Sequence, residues 1–131
     1  MVLLILGLAT QTATRFAVTG EPLSIGISAK LCIAVDVSDP HGVWWWQPGH
    51  DGCGSRSTGP VVFKAERAVV TKSDGAVHAG FRLPLHGIPP QIDHVDVQLV
   101  IDGDRMRSAA SGESVPLVYR HDLDIPPAAW P

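Results

Sequence analysis

Long apolar runs, basic clusters and cysteine are all scarce in this chain of 131 residues, and each scarcity narrows what it can be. Nowhere do about twenty apolar residues run together, the length a membrane-spanning helix requires, so no transmembrane anchor is expected. Lys and Arg total 10 against 13 Asp and Glu, the net charge is −3, and no Lys/Arg block exists. Phosphate neutralisation needs such a block, so no nucleic-acid partner is expected. Helical patterning is missing too, since no segment holds a 3.6-residue apolar period over three turns. There are no internal repeats.

Catalytic signatures are equally absent. No Gly-Lys-Ser/Thr closes a phosphate loop, no Gly-x-Ser-x-Gly elbow occurs, and neither HExxH nor His-x-His is found. Cys53 and Arg56 lie too close in sequence for a cysteine-phosphatase loop. The carboxylates Asp93, Asp96, Asp102, Asp104 and Glu113 fall at turns or on wet strand faces. No group of residues meets the requirements of a catalytic centre, so the reading leans against an enzyme, and no cofactor is expected.

Turn formers are abundant. The chain has 13 glycines and 11 prolines, a frequency that suits many short strands better than helices. Val77, Ala79, Phe81, Leu83 and Leu85 are apolar at every second position, and Val95, Val97, Leu99 and Ile101 repeat the pattern. Folded about Gly87–Gln91, the two segments oppose Leu83 to Val95, Phe81 to Val97 and Ala79 to Leu99, with Arg82 meeting Asp96 on the other face. Asp102-Gly103 is a hairpin turn that sets Met106 opposite Leu99. Asp74-Gly75 is another, joining Val61–Lys72 to Ala76–Leu85. In that hairpin Val70 faces Ala79, but Phe63 and Ala65 fall on the wrong face unless a bulge intervenes near Glu66–Arg67.

Further strands are expected at Arg15–Thr19, at Leu23–Val37 with a break at Gly26, and at Val115–Arg120. The C-terminal DLDIPPAAWP should run extended over the surface, with Trp130 as an anchor. About seven antiparallel strands predict an all-β domain, a small two-sheet sandwich of immunoglobulin-like or similar topology, with an open barrel as the alternative. Its length makes residues 15–131 one domain.

Residues 1–14 are read apart from it. VLLILGLA at 2–9 has the length of a signal-peptide apolar region, although no basic residue precedes it and no clean Ala-x-Ala site follows. The competing reading is a buried first strand. The expected location is secreted or periplasmic. Cys32 and Cys53 then form one disulfide closing a loop of about twenty residues, worth about 3 kcal/mol in the chain-entropy account.

The densest chemistry lies in the loop-like segment Ser38–Pro60, which carries Trp44, Trp45 and Trp46 in a row. In an extended chain Trp44 and Trp46 point to one side and Trp45 to the other. Exposed indoles would stack on a glycan or an extended, proline-rich peptide, and buried ones would plug the core. The candidate ligand-binding residues are Trp44, Trp45, Trp46, Arg56 and His50. Arg56 sits in a glycine-rich run that could form a weak anion nest. His41, His50 and Asp51 are the candidate metal ligands. The segment predicts a non-catalytic ligand-binding or protein-interaction module. The alternatives are a metal-dependent or cysteine-based enzyme centred on the same loop, and a structural domain in which the loop is only a plug.

Overall fold

The computed structural model describes residues 15–54, 61–85 and 93–130, so the expectations for residues 1–14, for Arg56 and for the Gly87–Gln91 turn lie outside it. Its ten strands are β1 (Phe16–Gly20), β2 (Leu23–Ser24), β3 (Lys30–Val35), β4 (Val43–Trp46), β5 (Phe63–Lys64), β6 (Glu66–Ser73), β7 (Ala76–Pro84), β8 (His94–Asp102), β9 (Arg105–Ser108) and β10 (Ser114–Asp122). A single 3-10 turn, Pro127–Ala129, is the only helical element among the described residues. The all-β, antiparallel class is as expected.

The two-sheet sandwich is not. The strands form one sheet in the order β5-β4-β3-β1-β10-β9-β8-β7-β6, with β2 added beside β3. The two ends of that order, β5 and β6, are separated in the chain by Ala65 alone. Strand β5 pairs with β4 while β6 pairs with β7, so the sheet curls into a nearly closed barrel. Hydrogen bonds from Ala65 N–H to Val43 O (2.9 Å) and from Val70 N–H to Pro40 O (2.8 Å) stitch the seam. A sandwich would leave edges on both sheets, whereas here two backbone donors of the edge segment find acceptors across the seam.

The β7–β8 register matches the alternation pair for pair: Leu83 with Val95, Phe81 with Val97, Ala79 with Leu99 and Arg82 with Asp96. The bulge expected near Glu66–Arg67 is present. The β6–β7 register shifts between Glu66 and Val69, and Arg67 has φ +52°. Ala65, Ala68 and Val70 consequently all point into the core.

The β8–β9 hairpin differs by one loop position. Met106 faces Ile101 rather than Leu99, because Gly103 and Asp104 form the loop instead of Asp102 and Gly103. Gly103 takes the first central position with φ +62°, as a II′-type hairpin turn requires. The slip changes the pairing by two residues, so Met106 still faces inward.

Strand β10 carries a second irregularity. Thr19 pairs with Tyr119 but Gly20 pairs with Leu117, leaving Val118 as the extra residue. Val115 and Leu117 therefore pack in the barrel, and Tyr119 packs outside it. The interior is built from Ile33, Val35, Phe81, Leu83, Val97 and Leu99 with their neighbours.

At the end of the barrel where β3 leaves, Asp36 is almost fully buried. It accepts hydrogen bonds from Arg15 Nε (3.1 Å) and from the backbone N–H (3.0 Å) and Oγ (2.7 Å) of Ser38. Arg15 Nη2 also pairs with it. Burial alone pushes the Asp36 carboxyl upward, but the Ser38 and Arg15 hydrogen bonds outweigh it and hold it below the ordinary value of 3.8. A depressed folded-state pKa contributes stability that is present above the unfolded value and lost as pH falls through the folded one. Urea unfolding from about pH 5 downward should therefore show a stability loss that Asp36→Asn flattens. An unchanged slope in the variant would assign the acid sensitivity to other carboxylates.

Candidate functional site

The tryptophan triplet is a strand, not a loop. Residues Val43–Trp46 pair with β3 on one side, and Trp44 and Trp45 pair with Lys64 and Phe63 on the other. Alternation then sends Trp44 and Trp46 to the outer face and Val43 and Trp45 to the inner face. The three indoles enter two different environments.

Trp46 is 0% exposed. It lies in a compact outer layer with Ala17, Ala34, Trp130 and the Cys32–Cys53 disulfide. Its ring meets His121 edge-on at 5.7 Å and Trp130 at 6.1 Å. The Trp130 ring stacks on His121 at 4.5 Å, and its indole N–H donates to Ile125 O. The C-terminal stretch is thus not an extended surface strand. After Asp122 it turns, forms the short 3-10 element, and inserts Trp130 into the outer layer. The disulfide lies in the same layer, and beside it the Tyr119 hydroxyl donates to Glu21 Oε1 at 2.9 Å. That bond, with a contribution from burial, raises the Tyr119 pKa above its ordinary value.

Trp44 is half-buried between these worlds. It packs edge-on against Trp130 at 5.7 Å, and Lys64 Nζ sits 4.7 Å from its ring centroid. Lys64 also donates to His41 O, so its ammonium is directed away from the barrel interior.

Trp45 faces the open end of the barrel. Its ring stacks on Phe63 with centroids 4.6 Å apart and planes 23° from parallel. The pair lines a cavity of about 480 Å³ with Ile27, Leu31, Leu83 and Leu85. Gln47 is the neutral polar side chain there, and Lys64 and Glu66 stand at the rim. Phe63 remains 44% exposed although its backbone is paired in β5. The volume falls within the range of small-molecule sites, which are concave and mostly apolar.

The other candidates do not join this cavity. His41 Nδ1 lies 2.8 Å from Ala68 O, and its backbone N–H donates to Asp39 Oδ1. His50 and Asp51 occupy the tight turn bridged by Gly49 and Gly52. Among the described residues no three His, Cys, Asp or Glu side chains are grouped to hold a metal ion. Cys53 is bonded to Cys32 and is not available as a thiolate nucleophile. Among the described residues no helix is long and apolar enough to cross a membrane. No known protein family matches this chain, and neither does any curated protein or solved structure.

Phe63, Ile27, Leu31, Gln47, Leu83 and Leu85 are among the members of the site that sequence reasoning misses. Phe63 could be flagged, since it breaks the alternation of its hairpin. Its meeting with Trp45 depends on a strand pairing across a long connection, which leaves no local signal.

Two substitutions separate the roles. Trp46→Ala should cost about 3–5 kcal/mol, because a fully enclosed indole is removed. Trp45→Ala should cost markedly less, since its ring borders open space. Urea midpoints measure both, and equal losses would place Trp45 in the core. Replacing Cys32 and Cys53 by Ala should lower stability by about 3 kcal/mol. An unchanged midpoint would show that packing alone holds the segment around Cys53.

Proposed function

We propose that this chain is a non-catalytic binding module, and that its site is the open barrel mouth at Trp45 and Phe63. One observation carries the reading: an aromatic pair with a half-exposed ring sits over an apolar cavity large enough for a small molecule. Apolar rings left in water at the end of a well-packed barrel are unfavourable for the free protein. A flat or ring-bearing apolar ligand would cover Phe63 and contact the aliphatic wall, with Gln47 as the polar contact that orients it. Of the tryptophan triplet, only Trp45 belongs to this site, while Trp46 is the plug. The disulfide and the apolar run at residues 2–9 support placing the protein in an oxidising compartment outside the cytosol.

A protein partner is the second reading. Ile27, Val61 and Phe63 are 41%, 64% and 44% exposed, and Ile27 and Phe63 share the mouth. Large exposed apolar side chains gathered in one place mark interaction surfaces.

The test is titration with the neutral aromatic probe N-phenyl-1-naphthylamine, followed by energy transfer from tryptophan. Saturable binding is expected, weakened about tenfold in Phe63→Ala and Trp45→Ala, a loss equal to about 1.4 kcal/mol each. Trp44→Phe should bind as the parent does. Failure of the probe to bind, or equal binding by all variants, would reject the mouth as a small-ligand site. Concentration-dependent association abolished by Phe63→Ser would then favour the protein-partner reading.

A further inference from the structure

The outer face of the β6–β7–β8 meander holds a second concavity, unconnected with the mouth in chemistry. It measures about 310 Å³, and its polar side chains share the lining with Val69, Gly80 and Phe81. Strand β6 contributes Arg67, Val69 and Thr71, strand β7 His78, Gly80 and Arg82, and strand β8 Asp96 and Gln98. Register brings them together in rows. Thr71 pairs with His78, Val69 with Gly80 and Gly80 with Gln98, while Arg82 pairs with Asp96.

Three features make this a built pocket rather than an ordinary wet sheet face. Gly80 stands mid-strand, where glycine is normally disfavoured. A Cβ there would lie 2.8 Å from both Nε2 and Oε1 of Gln98, so the bare backbone lets that amide fold down as a floor. Arg67 is the second feature. It occupies the bulge with φ +52°, a left-handed conformation that L residues other than Asn and Asp rarely adopt. Bulges redirect side chains, and this one leaves Arg67 lining this concavity and the two beside it. The third is charge. Arg82 Nε pairs with Asp96 Oδ1 at 3.3 Å, but Arg67 has no ion-pair or hydrogen-bond partner among the described residues. Glu66, the cross-strand partner of Arg82, and Asp93 stand beside both arginines in the adjoining concavity, so the surroundings carry no excess of positive charge and Arg67 offers one unpaired guanidinium to one anionic group.

We propose that this pocket binds a hydroxylated carboxylate with a single negative charge, the chemistry of a sugar acid. Arg67 takes the carboxylate through its planar fork. The Gln98 amide, Thr71 hydroxyl and Asp96 carboxylate supply donors and acceptors for ring hydroxyls. Val69, 53% exposed, offers an apolar surface to the C–H face of the ring, which lies on the floor that the Gln98 amide forms over Gly80. A doubly charged phosphate ester would meet repulsion from Asp96 in the pocket and from Glu66 and Asp93 beside it, which a single unpaired guanidinium does not offset. The bulge itself serves closure of the sheet, and binding explains why arginine rather than glycine holds its left-handed position.

The experiment is an amide NMR titration of the full chain with sodium D-glucuronate, with D-glucose and D-glucose 6-phosphate as comparison arms. Saturable shifts at Val69, Gly80 and Gln98 are expected with glucuronate, and at least tenfold weaker binding with the other two. Arg67→Gly should abolish the shifts while melting at the same or a higher temperature, since glycine relieves the left-handed backbone. Arg67→Gln, which keeps the side-chain length without the charge, should show the same loss of binding. Gly80→Ala should weaken binding by displacing the Gln98 amide. Absence of saturable shifts with glucuronate would overturn the proposal. So would unchanged binding in Arg67→Gln, or tighter binding of the phosphate ester. Shifts confined to the Trp45 indole would do so as well, since they assign the ligand to the barrel mouth.

Discussion

The barrel depends on one stretch of chain that serves two neighbours. Residues Phe63–Lys64 complete the hydrogen bonding of β4, and Glu66–Ser73 complete that of β7. A straight strand cannot do both and keep its apolar residues on one face, because its side chains alternate strictly. The bulge at Arg67 resolves the conflict. It adds one residue, so that Phe63 and Ala65 before it and Ala68 and Val70 after it all point inward. Two consequences follow for the surface. Phe63 is brought against Trp45 at the mouth, and Arg67 is left on the outer wall in a left-handed conformation. Both proposed binding regions therefore descend from the same backbone irregularity.

The bulge at Val118 acts in the same way on the opposite side of the barrel. Leu117 and Tyr119 have the same parity in sequence, yet one packs inside and the other outside. The outward half of β10 presents Tyr119 and His121, and these become part of a second apolar layer with Trp46 and Trp130. A barrel wall facing water on its outer side would not need that layer. Here the disulfide and the C-terminal turn cover it, which explains how so small a chain accommodates four tryptophans with two of them almost fully enclosed.

The local parts of this fold are legible in the sequence and the closure is not. The β7–β8 register can be read because apolar alternation and the Arg82–Asp96 pair agree on a single alignment. The bulge at Arg67 can be read because a turn of known position forces Phe63 and Ala65 out of phase. Opposite sides for Trp45 and Trp46 follow from strand geometry alone. What cannot be read is which face is covered, and by what. Trp130 reaches Trp46 across most of the chain, and Phe63 reaches Trp45 across a Gly-rich connection; neither leaves a periodic trace. Reading the segment around the tryptophans as loop has a definite cause, since four strand residues flanked by Pro, Gly and Asp are too few to show alternation.

The contrast between the two aromatic positions bears on function more than their number does. Trp46 is enclosed on every side, so its conformation is decided by packing and it has no freedom to meet a ligand. Phe63 keeps nearly half its surface in water while its backbone is fixed by pairing to β4 and its ring by stacking on Trp45. A ring held that way loses little entropy when covered, because its rotamer is already chosen. The same economy holds on the outer wall, where Arg67 is bound to a bulge whose shape the barrel requires. In both places closure of the sheet fixes the backbone that carries the side chain, and each proposed binding surface inherits that rigidity from the seam.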